Sequence, residues 1–160
     1  AARVAITASA TRGQGAGVVA SARDYFGRLK LANFGISDER VFARQLDAAT
    51  RQLMDCLPKH AANWGLARKL LNIFLRDCLY TSYLAKAHRL AKAEKLLEIP
   101  LDSITAKRIH EAVPQLPRWP GVKYLDRATS DAYQAAALAV ARKHGVARAH
   151  LDAYWWGARE

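Results

Sequence analysis

The sequence predicts an all-α fold, a compact multi-helix domain, and three observations predict it. Apolar residues recur at three- and four-residue steps through most of the chain, the spacing of one helix face. The breaks between those runs are helical punctuation, with capping Ser and Asp residues ahead of them and Pro or Gly behind them. At 160 residues and 51% hydrophobic, the chain is also long enough to bury a core without disulfide or metal staples.

Taken in order, residues 1–17 are small and glycine-rich and contain Gly13-Gln14-Gly15-Ala16-Gly17. Their spacing fits neither a dinucleotide fingerprint nor a P-loop, and the preceding Val4-Ala5-Ile6-Thr7 makes a poor strand. A flexible arm over 1–17 is expected, followed by one helical domain over 18–160. Val19, Tyr25, Phe26 and Leu29 mark a short helix over 18–31, stopped by Asn33-Phe34-Gly35. Ser37 stands before Asp38-Glu39-Arg40 as an N-cap with an acidic first turn. The helix it opens carries Val41, Phe42, Leu46, Ala49, Leu53 and Cys56, and Pro58 ends it.

Asn63-Trp64-Gly65 opens a segment too apolar for a surface helix, with Leu66, Leu70, Ile73, Phe74 and Leu79, which reads as the central buried helix. Residues 85–97 read as a cationic helix, with Lys86, Arg89, Lys92 and Lys95 on one broad face, broken at Ile99-Pro100. Asp102-Ser103 caps a helix to about Val113, and Pro114, Pro117, Pro120 and Gly121 make an extended loop over 114–127. Ser130-Asp131 is expected to cap a long Ala-rich helix closed at His144-Gly145. A last helix over 147–157 holds Leu151, Tyr154, Trp155 and Trp156. No internal repeat is present.

Composition narrows the function. Lys and Arg number 25 against 14 Asp and Glu, a formal net charge of +11, which points to a polyanionic partner and away from an acidic one. Two cysteines, Cys56 and Cys78, are too few for a disulfide framework, a four-cysteine zinc site or an iron–sulfur cluster, and both read as small packing residues. No apolar run approaches the roughly 20 residues that span a bilayer, and the start lacks the Leu-rich stretch of a signal peptide. A cytoplasmic, reducing compartment is the expectation, with no membrane. The five histidines are scattered and show no metal-ligand spacing, so no metal is expected.

Three stretches carry a family resemblance. Gly65-Leu66-Ala67-Arg68-Lys69-Leu70-Leu71-Asn72 resembles the second half of the helix-hairpin-helix motif of the base-excision DNA glycosylases, the endonuclease III superfamily. Pro100-Leu101-Asp102-Ser103-Ile104-Thr105-Ala106-Lys107-Arg108-Ile109 is similar to that family's Asp-bearing segment, with Ile104 where many members carry His. His150-Leu151-Asp152-Ala153-Tyr154-Trp155-Trp156-Gly157 looks like its late helix. The matches run in family order over about 64–157, with Ala67 in place of the second hairpin glycine.

The resemblance implies a base-excision DNA-repair enzyme acting on double-stranded DNA without a cofactor, a glycosylase with possible abasic-site lyase activity. In that chemistry a hairpin presents backbone N–H groups to a phosphate, the target nucleotide is rotated out of the stack, and a Lys attacks the sugar C1′ to give a Schiff base. By position Lys69 is the nucleophile and Asp102 the carboxylate that activates it or stabilises the cationic sugar. Trp64, Gly65, Ala67 and Arg68 would form the phosphate-gripping hairpin. Lys86, Arg89, Lys92, Lys107 and Arg108 would add phosphate contacts, and Trp155 or Trp156 would stack on a base. Each residue also has a plainer reading: Asp102 as a helix cap, Lys69 as a solvated cation, the tryptophans as core. Two rival functions follow, a noncatalytic helical nucleic-acid-binding module and a helical protein–protein adaptor. Convergence of Lys69 and Asp102 on one cleft separates them from the enzyme.

Overall fold

The computed structural model describes residues 6–7 and 10–157, the side chains of residues 156 and 157 aside, and all regular structure among them is helical. Seven α-helices follow one another: α1 (Val18–Arg28), α2 (Glu39–Cys56), α3 (Trp64–Tyr80), α4 (Ser82–Ala87), α5 (Ser103–Ala112), α6 (Arg127–Lys143) and α7 (Leu151–Gly157), joined by short 3₁₀ turns. Their starts are set by side-chain caps. Asp38 accepts from Val41 N, Asn63 from Leu66 N, Asp102 from Ile104 N and Thr105 N, and Asp126 from Thr129 N. Each cap satisfies donors that a helix start leaves open. Two caps differ from the sequence expectation. Asp38 caps α2 in place of Ser37, and Asp126 caps α6 in place of Ser130, because Ser130 lies inside α6 and is buried.

Helix α3 is the central helix, as its composition predicts. Leu66, Leu70, Leu71, Phe74, Leu75 and Cys78 are all buried along it, and Phe74 stacks on Phe26 of α1 with ring centroids 4.3 Å apart. Two apolar clusters divide the molecule. One gathers α1, α2 and α3 with Leu90, Ala93 and Leu97. The other gathers Ile99, Leu101, α5, α6 and Leu151, with Trp64, Trp119 and Trp155 packed against it. The junction of the two runs along α3 and the 97–102 segment, and that junction positions the polar residues of interest.

Three expectations are corrected. The 85–97 segment is not one helix. α4 stops at Ala87, and Arg89 takes φ 55° and ψ 33°, the left-handed region, before a 3₁₀ turn at Leu90–Ala93. That conformation costs an L-residue roughly 1–2 kcal/mol, and the chain is tightly packed beside it: Gly35 approaches so closely that a Cβ there would lie 1.9 Å from the His88 carbonyl oxygen. The described part of the N-terminal segment is packed and not a free arm. Ile6 is fully buried, Arg23 Nε donates to its carbonyl at 3.0 Å, and Lys69 Nζ donates to Ala10 O at 3.2 Å. Gly15 and Gly17 have φ +84° and +83°, so the alternating glycines turn the chain into α1. Cys56 is exposed, while Cys78 is buried and its thiol pushed up to about 12 by that burial.

Candidate active site

Lys69 sits one turn inside α3 and Asp102 is the N-cap of α5, so each is held by the start of a helix. Both line one cleft of ≈ 320 Å³ at the junction of the two clusters, together with Arg76, Asp77, Thr105 and Asp152. Lys69, Ile73, Arg76 and Asp77 recur on α3 at helical spacing, which places their side chains on one face. Asp102 Oδ1 accepts from both Ile104 N and Thr105 N at 3.0 and 2.9 Å, which fixes the carboxyl rigidly. Burial holds the Lys69 amine below its ordinary 10.5, with the Asp102 carboxylate opposing that shift. A desolvated ammonium is disfavoured relative to the neutral amine, and the neutral amine is the nucleophilic form.

The cleft holds three carboxylates against two cations. Arg76 is moreover tied to Asp77 at 3.4 Å and Asp152 at 3.5 Å. Such a balance suits a cationic centre near Asp102 and does not suit a phosphate, which would meet uncompensated carboxylates.

The expected phosphate hairpin is corrected. Gly65, Ala67 and Arg68 lie in the first turns of α3 and are buried. A Cβ on Gly65 would lie 2.1 Å from the Val122 carbonyl oxygen, so this glycine admits the 122–124 turn and is sealed from any phosphate by it. Of the N–H groups left open at the helix start, that of Leu66 is taken by Asn63 Oδ1 at 2.9 Å. Arg68 is 4% exposed and donates through Nε and a second nitrogen to both oxygens of Glu98, at 2.8 and 2.9 Å. Its remaining donors reach Asp47 at 3.1 Å and Thr50 Oγ1 at 3.0 Å, and Asn72 adds a bond to Glu98 at 2.9 Å. Burial pushes the Glu98 carboxyl up, but Arg68, Arg148 and the Asn72 amide outweigh it and hold the group below the usual carboxylate range. Arg127 closes the network on Asp47. Arg148 is likewise internal, donating to the Leu97 carbonyl at 3.2 Å and the Leu96 carbonyl at 3.0 Å. These two arginines bolt the junction between the clusters and are withdrawn from the charged surface.

The other expected site residues separate. Trp64 is partly buried beneath the Arg68 guanidinium, 5.3 Å from ring centre to charge. Arg108 lies 5.5 Å over the ring of Trp155, so these two come together, while Trp156 falls outside the described side chains. Lys107 is exposed and sits 3.9 Å from Glu111. Lys86, Arg89 and Lys92 are exposed, and none forms an ion pair with a described residue. Glu98, Arg76, Asp77 and Asp152 escaped sequence reasoning. The polar residues Lys69, Arg76 and Asp77 at helical spacing within a largely apolar helix are the signal that could have found the lining.

Comparison of the chain with protein-family models, with curated proteins and with solved structures gives no match.

Proposed function

We propose that the protein is a DNA-acting enzyme of the base-excision type, in which the Lys69 amine attacks C1′ of a damaged or abasic nucleotide held in the cleft. The observation that carries this reading is the placement of Lys69 and Asp102 in one cleft, with the amine desolvated and the carboxylate held on a cap. As the bond from C1′ to the base breaks, positive charge develops on the sugar, and the Asp102 carboxylate stabilises it. The amine bonds to C1′ as the base departs with the proton the new ammonium gives up. The C1′–O4′ bond then opens with a proton from water taken up at O4′, leaving a Schiff base from which loss of a C2′ proton expels the 3′ phosphate and cuts the strand. Phosphates are held outside the carboxylate-rich cleft, by the exposed cations. The test is borohydride trapping on an abasic duplex. A covalent adduct is expected with the wild-type chain and none with Lys69→Ala, and an adduct that survives the substitution removes Lys69 from the reaction.

The burial of Gly65, Ala67 and Arg68 favours a second reading, a helical DNA-binding module without catalysis. Salt-dependent duplex binding with no adduct and no strand cleavage would select it.

A further inference from the structure

We infer that the α4 corner, from Tyr83 to Lys92, is a binding surface for single-stranded DNA. The inference rests on the nucleic-acid part of the reading above and on none of its chemistry. Four observations meet there. Tyr83 is 79% exposed, the most exposed large apolar side chain described, and it makes no ring contact or hydrogen bond with a described residue. Lys86 stands three residues on in the same short helix, so the two side chains are neighbours on its surface. Lys86, Arg89 and Lys92 are exposed and form no ion pair with a described residue, so three cations are free within ten residues of Tyr83. Arg89 is the one described residue other than glycine with positive φ, and it lies beside the close approach of Gly35 to His88. A strained backbone kept by tight packing is characteristic of a place where a side chain is being presented.

The chemistry selects the ligand. Three unneutralised cations call for a polyanion, and a duplex phosphate backbone would satisfy them without Tyr83. An exposed tyrosine beside them adds a flat apolar face, which gains energy only from a base that is not already stacked in a duplex. Unpaired strand presents both groups at once. The surface is also separate from the Lys69 cleft, whose carboxylates exclude phosphate.

The test compares binding of a short fluorescein-labelled thymidine oligonucleotide and of a blunt duplex of equal length by fluorescence anisotropy. Tyr83→Ala is expected to weaken single-strand binding roughly 5- to 100-fold and to leave duplex binding unchanged, with Tyr83→Phe retaining most of the affinity. Lys86→Gln and Lys92→Gln should each flatten the single-strand log–log salt dependence by about 0.7. Tyr83 bears on no core contact, so an unchanged thermal midpoint verifies that the variant is folded. Equal loss on both ligands would reduce the corner to a phosphate contact, and absence of wild-type single-strand binding at low salt would remove it altogether. Either result overturns the inference, and neither bears on the Lys69 adduct, which is scored in a separate reaction.

Discussion

At Lys69 the decisive quantity is the cost of charge. Burial disfavours the ammonium, and Asp102 restores part of it. If the neutral amine is the attacking species, the rate of adduct formation rises with pH through a midpoint below the ordinary 10.5. Asp102→Asn removes the carboxylate that favours the ammonium, so the midpoint moves further down while the plateau rate falls. A pH profile of single-turnover trapping reads both, and a midpoint that rises would reverse the assigned sign. Glu98 makes the opposite case. Its folded carboxyl titrates below its ordinary 4.5, so its stabilising contribution is complete above that value and is lost as the pH falls through the folded one. Arg68→Met leaves the buried Glu98 without its main donor, while Asp47 keeps Arg127. Breaking such a pair costs about 3–5 kcal/mol, and for a domain of this size the thermal midpoint should fall by roughly 10 °C. Calorimetry near neutral pH measures it, and the deficit should shrink on acidification as Glu98 is neutralised.

The elements show what sequence can and cannot supply. Helix α3 was legible from its apolar run and its Asn63 cap, and α5 from Asp102, because both signals are local. The 85–97 segment was not. Its residues all tolerate a helix, and the break at Arg89 sits where Gly35, more than fifty positions earlier in the chain, packs against His88. The supposed hairpin failed for the same reason: a Gly-Leu-Ala run at a helix start looks open to a phosphate until the 122–124 turn lies across it. That turn yields a prediction at this scale. Gly65→Ala forces a Cβ into the Val122 carbonyl and should cost about 1–3 kcal/mol by displacing the turn, read as a lower urea midpoint with an unchanged slope. Were Gly65 a phosphate contact instead, stability would hold and DNA affinity would drop.

Over the whole molecule, the net charge of +11 raises the expectation of a polyanionic partner but gives no place for it. The sequence places Arg68 at a phosphate-gripping hairpin, whereas the fold uses it, with Arg148, to join its two apolar clusters. Lys86, Arg89 and Lys92 are exposed at the α4 corner and form no ion pair with a described residue, and the cleft is left with an excess of carboxylate. The proposed function accordingly uses two places: the exposed cations of the corner for phosphate, and the desolvated amine beside a fixed carboxylate in the cleft for chemistry. Legible in advance were the pairing of Lys69 with Asp102 and the helical class. The cleft's other walls were not, since Asp77 and Asp152 lie on α3 and α7 and meet only through tertiary packing. The most direct test is to trap the chain on an abasic duplex with borohydride, digest it, and map the modified peptide by mass spectrometry. The account predicts the reduced sugar adduct on Lys69. An adduct on any other lysine, or none at all, would contradict it.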